Sequence, residues 1–180
     1  MKSKIVLLTI LTITLAGMGA AFGDSTSGTV NLTAEVTSIA ELILNGVVVS
    51  GGVAQTVDFP ASNPRTTPSI PGSATTTVTA NVRTGSSSTA TLTAVASGPL
   101  SDGTPADNIP ISNVTSTYSG APGFFTGGSI QMAASPGVTV GSGGSGSYTG
   151  AFTWALANSW SYQTYNGSYT AAITYTLLAP

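Results

Sequence analysis

The chain has 180 residues, of which 24 are Ser, 29 Thr and 22 Gly, and only 6% are charged, against about 25% in an ordinary soluble domain. Neither Cys nor His occurs, which excludes Ser-His and Cys-His nucleophile pairs, a disulfide framework and the usual zinc sites. The basic residues are Lys2, Lys4, Arg65 and Arg83; they form no patch able to neutralise a phosphate backbone, so nucleic acid is excluded as a partner.

Residues 1–23 read as a secretory signal peptide. Lys2 and Lys4 give the positive start, residues 5–15 the apolar run, and Ala21-Phe22-Gly23 a small-x-small cleavage site before Asp24. The run falls short of the roughly 20 residues that cross a bilayer, so no integral membrane segment is expected after cleavage. The remainder holds two Arg, no Lys and six acidic residues. Lacking Lys, it has no route to a Schiff base, a Ser-Lys dyad or a Lys–Asn crosslink. No sorting motif or second long apolar run follows, and nothing covalent is expected to hold the protein to a cell.

Along the chain, period-two alternation dominates. Residues 29–36 align Val30, Leu32, Ala34 and Val36, with Asn31, Thr33 and Glu35 between them. Residues 41–49 are interrupted by Asn45-Gly46, a hairpin signal because a type I′ turn needs positive φ at both positions. A strand is expected at 53–59. Four prolines make 60–72 a loop or crossover. Strands follow at 76–83 and 89–96, then a loop at 98–110, weaker strands at 111–118 and 129–132, and a flexible bend at 141–146 (GSGGSG). Two long strands close the chain. Residues 147–156 align Tyr148, Phe152, Trp154 and Leu156; residues 168–178 align Tyr169, Ala171, Ile173, Tyr175 and Leu177. About eight strands with one apolar face each give an all-β, antiparallel, immunoglobulin-like β-sandwich.

Chemistry-bearing residues are few. Glu35 and Glu41 are the candidates for a carboxylate pair of the glycosidase type, but Glu35 lies on the polar side of its alternation, as on a solvated strand face. Asp102, Asp107 and Asn108 share a loop whose spacing suits turns better than calcium. No catalytic residue, metal site or cofactor is therefore expected. Trp160, Tyr162 and Tyr165 lie in the connection between the last two strands. They either stack on sugar rings, or cap the sandwich or pack against a neighbouring subunit. Asn31, Asn113 and Asn166 begin glycosylation sequons.

The first strand of the exported chain admits two readings. Its stripe of Val30, Leu32, Ala34 and Val36 either folds into its own domain or plugs a groove in another copy by β-strand addition. A head-to-tail contact of the second kind does not close on itself and makes a filament.

Residues 30–36 (VNLTAEV), followed by Ile39, Leu42, Leu44 and Gly46, resemble the amino end of the CS1/CFA-I type chaperone–usher pilins. There a V-x-A-x-V donor strand runs into the first strand of the fold. Gly167-Ser168-Tyr169-Thr170, leading into Ile173, Tyr175 and Leu177, is similar to the last strand of such pilins. The resemblance implies a pilin-like sandwich at 39–180 preceded by a donor strand at 24–38. It implies a secreted, non-enzymatic fimbrial subunit that forms a head-to-tail homopolymer, with a periplasmic chaperone and an outer-membrane usher as partners. Val30, Leu32, Ala34 and Val36 would be the donor plugs. Tyr169, Ile173 and Tyr175 would lie on the strand a chaperone engages. The alternative is a monomeric secreted sandwich that binds glycans through Trp160, Tyr162 and Tyr165.

Overall fold

A computed structural model describes residues 30–49, 55–103, 108–120, 123–162 and 168–180. The signal peptide at 1–23 and residues 24–29 lie outside them. The chain divides into two units between Val36 and Thr37.

From Thr37 onward the protein is the expected all-β sandwich, with ten strands among the described residues where about eight were expected. They are β1 Ile39–Leu44, β2 Val47–Val48, β3 Ser69–Pro71, β4 Thr76–Arg83, β5 Ala90–Ala96, β6 Val114–Tyr118, β7 Gly128–Gln131, β8 Val138–Gly143, β9 Gly146–Ala157 and β10 Ile173–Leu178. The larger sheet runs β2-β1-β4-β9-β6-β7, with β3 also on β9; the smaller runs β10-β5-β8. All pairings are antiparallel.

Alternation sets the faces. Val78, Ala80 and Val82 of β4 are buried, as are Ala90, Leu92, Ala94 and Ala96 of β5 and Phe152, Trp154 and Leu156 of β9. The hairpin signal is realised: Asn45 has φ 50° and Gly46 φ 81° between β1 and β2. A ring cluster fills one end of the core. Phe125 packs within 5.3–5.4 Å of Tyr118, Phe124 and Phe152, and Phe124 stacks on Tyr148 at 4.7 Å.

Four expectations are corrected. Residues 55–59 form no strand, although Gln55, Val57 and Phe59 do turn inward. Two bonds between Asp58 and Ser73 replace a ladder. Within the proline-rich stretch, Ser69–Pro71 adds to β9 as a short edge strand, a position where proline is tolerated. Ile111–Asn113 make a 3-10 turn before β6 begins. The run 141–146 is no slack bend: Gly141 and Gly143 belong to β8, Gly146 to β9.

One polar chain, buried at its Trp154 end, ties the large sheet to the 55–59 segment. Trp154 Nε1 donates to Thr76 Oγ1 (2.8 Å), Thr76 Oγ1 donates to Gln55 Oε1 (2.7 Å), and Asn45 Nδ2 donates to the same oxygen (2.8 Å). Asn45 Oδ1 in turn accepts from the Thr77 N–H at 2.8 Å. An indole N–H buried beside apolar neighbours must be paired or cost about 1–3 kcal/mol; Thr76 meets that need.

Candidate functional site

The two edges of the small sheet differ. Along β8, residues 124–126 cover the outer side: Ser142 N–H donates to Phe124 O (2.7 Å) and Thr126 N–H to Val140 O (3.0 Å). Along β10, no second strand pairs among the described residues. The sequence of β10 (ITYTLL) holds no charge and no proline, the usual guards of an exposed edge.

The backbone direction on that edge follows from one pair. Ser97 N–H donates to Ala172 O (2.8 Å), and Ala172 N–H donates to Ser97 Oγ (3.1 Å), so residue 172 faces β5. Alternation along an antiparallel strand then turns Thr174, Thr176 and Leu178 the same way. The N–H and C=O groups of Ile173, Tyr175 and Leu177 point to the open side. The side chains of Ile173, Tyr175, Leu177 and Ala179 pack against the core but stay only half-buried. Tyr175 is the extreme case. Its hydroxyl is buried without a hydrogen-bond partner, and burial pushes its pKa up to about 12. Ser38 Oγ donates to Pro180 O at 3.2 Å, bringing the residue before β1 to the far end of β10.

Val30, Leu32 and Val36 are 61%, 85% and 70% exposed, and Ala34 is exposed with them. Residues 30–38 form no strand, so the alternating stripe expected to pair is left open to solvent. Of the three residues on the last strand, Ile173 and Tyr175 lie on β10, whereas Tyr169 precedes it, beside the bridge between Ser101 and Thr170.

The three aromatic candidates separate. Trp160 is 73% exposed. Tyr162 is half-buried against the core; its hydroxyl donates to Ala157 O (2.6 Å) and accepts from Asn113 Nδ2 (2.7 Å). Burial raises the Tyr162 pKa, and the Asn113 bond lowers it by less. That bond also commits the amide of the Asn113 sequon. Tyr165, like Asn166 and Asp107, lies outside the described residues.

Glu41 belongs to a polar row across the outer face of the large sheet. Asn81 Nδ2 donates to its carboxylate (2.7 Å), and Ser147 Oγ donates to Asn81 Oδ1 (2.6 Å). These bonds follow the register Glu41↔Asn81↔Ser147, which sequence alone does not supply. Among the described residues no cluster of three His, Cys, Asp or Glu side chains could hold a metal, and no helix is long and apolar enough to cross a membrane. No protein-family model, curated protein or solved structure matches the chain.

Proposed function

We propose that the protein is a secreted, non-enzymatic structural subunit, pilus-like, which polymerises when residues 30–36 of one copy add as a strand to β10 of the next. The carrying observation is the uncharged edge of β10, on which no second strand pairs among the described residues, in a chain whose own Val30, Leu32 and Val36 stand exposed. Main-chain bonds to residues 173, 175 and 177 would give affinity, and the alternate side chains would pack against the half-buried row.

Burying Val30, Leu32 and Val36 would contribute roughly 5–9 kcal/mol, at about 1.5–3 kcal/mol each. That is comparable with the roughly 5–15 kcal/mol stability of a whole domain. A subunit with such an edge needs protection before assembly, which supports a role for a periplasmic chaperone and an outer-membrane usher, with export through the signal at 1–23. Few charges and abundant Ser and Thr suit an inert, hydrated fibre at the cell surface.

Deleting residues 24–36 tests the reading. The truncated chain should remain monomeric where full-length mature protein forms sedimenting polymers. Full-length protein that stays monodisperse at high concentration, with or without an added peptide of residues 24–38, would sink it. A second reading rests on the exposed ring of Trp160: a surface that stacks on sugars. Trp160→Ala should then abolish binding on a glycan array without moving the melting temperature; equal binding by both proteins removes that role.

A further inference from the structure

We propose that the outer face of the large sheet carries a carbohydrate site, a groove across β1, β4 and the start of β9 that takes a neutral sugar by a pair of neighbouring hydroxyls. The groove offers about 350 Å³ and is lined by Ile39, Glu41, Asn81, Arg83 and Ser147. Their neighbours Leu42, Val82 and Tyr148 pack in or against the core, so alternation turns all five outward. Register brings them together in two adjacent rows, Ile39↔Arg83 and Glu41↔Asn81↔Ser147. The site uses neither the edge of β10 nor Trp160. Ser147 stands near the start of β9 and Trp160 beyond its end, roughly 30 Å away along the strand, so no single sugar unit reaches both.

The hydrogen bonds of the longer row all run one way. Ser147 Oγ donates to Asn81 Oδ1, and Asn81 Nδ2 donates to Glu41 Oε2. Each group keeps spare capacity: Glu41 its second carboxylate oxygen, Asn81 its second amide N–H, and Ser147 an acceptor lone pair. Arg83 adds five N–H donors, and among the described residues its guanidinium takes part in no hydrogen bond or ion pair. Acceptors and donors thus lie side by side along the groove. The two internal bonds hold Glu41 and Asn81 in place before a ligand arrives, so little rotamer freedom is left to lose on binding.

Charge narrows the ligand. Glu41 and Arg83 are diagonal neighbours, roughly 7–8 Å apart at the backbone, and their charges balance within the groove. A phosphate or carboxylate drawn to Arg83 would meet the Glu41 carboxylate, and a cation drawn to Glu41 would meet the Arg83 guanidinium. Among the described residues no acidic cluster is present to hold a metal there. What suits the set is a neutral ligand whose adjacent groups both donate and accept. A sugar hydroxyl does so, with one O–H and two lone pairs. One hydroxyl donates to Glu41 while accepting from Asn81, and its neighbour accepts from Arg83. Ile39, 43% exposed, supplies an apolar wall for the C–H side of the ring. Apolar surface with a few oriented polar groups is the usual composition of a small-molecule site.

Saturation-transfer difference NMR reads the site on the mature protein, monomeric or polymerised alike. The probes are the methyl glycosides of glucose, galactose and mannose, with glucuronate and inorganic phosphate as charged competitors. At least one methyl glycoside is expected to bind saturably, and neither anion to displace it. Glu41→Gln turns a free acceptor into a donor and should weaken that binding about tenfold or more. Arg83→Gln, at a side chain with no bond to lose in the fold, should do the same. Both changes lie on the outer face, so the melting temperature should hold. Binding that survives both groove variants and disappears in Trp160→Ala moves the sugar to the exposed ring and overturns the groove. Displacement by glucuronate or phosphate, or no binding by any of the three glycosides, overturns it equally. Strand addition is decided separately, by sedimentation of the chain lacking residues 24–36.

Discussion

A tyrosine hydroxyl buried without a partner costs about 1–3 kcal/mol, and Tyr175 retains one at the edge of the small sheet. Its removal should therefore cost nothing in the isolated subunit. Tyr175→Phe is expected to unfold at the same or a higher denaturant concentration than the unmodified protein. The pH dependence has a definite sign. The folded pKa of about 12 lies above the ordinary 10.0, so the neutral phenol is favoured by the fold. This contribution is complete below pH 10 and is lost as pH rises toward 12, because the unfolded chain ionises first. Over that window the unmodified protein should lose about 2–3 kcal/mol relative to Tyr175→Phe. Equal slopes in denaturation series at successive pH values would contradict the burial of this ring. Alternation alone marks Tyr175 as inward-facing, since it shares a period with Ile173 and Leu177. That its hydroxyl is orphaned depends on neighbours far away in sequence, and no local pattern carries that information.

The glycine run 141–146 shows how an element is misjudged from composition. GSGGSG suggests slack, yet at three of its glycines, Gly141, Gly143 and Gly146, an aromatic ring occupies the space a side chain would need. A Cβ on Gly141 would sit 2.6 Å from Phe124 Cε1 and 3.1 Å from Phe124 O, whereas one on Gly144 would meet nothing within 4 Å. Gly141→Ala should accordingly destabilise the protein by about 1–3 kcal/mol, the usual range for overpacking a well-filled core. Gly144→Ala, three residues along in the same run, should leave the melting temperature nearly unchanged. Equal effects in a thermal unfolding assay would restore the flexible-bend reading. The contrast with β4 is instructive. Thr76–Arg83 is a strand of eight residues with a clean burial alternation, and its period, β-branched content and bounds were all readable in advance. Residues 55–59 alternate just as cleanly but face an interrupted partner at Gly72-Ser73, so the inward faces form and the ladder does not.

For the whole molecule, low charge bears on how copies would meet under the strand-addition proposal. With so few ionisable groups there is little long-range steering for salt to screen. If docking is driven by Val30, Leu32 and Val36, polymerisation followed by light scattering should change little in rate between low and high sodium chloride. A steep fall with salt would mean that charged groups govern encounter. The sequence by itself determined the all-β class, the apolar faces of β4, β5 and β9, the turn at Asn45-Gly46, and the absence of His and Cys chemistry. These follow from local properties: side-chain direction alternates every residue along a strand, and a missing residue type is missing in any fold. The tertiary structure alone decided that residues 124–126 run along β8 while, among the described residues, no second strand pairs with β10. It also decided that Tyr162 is held by Asn113 and Ala157 while Trp160 stands free, and that Glu41, Asn81 and Ser147 form one row. Each of these depends on which distant strands become neighbours and in what register, a choice made by the packing of the whole core rather than by any stretch of the chain.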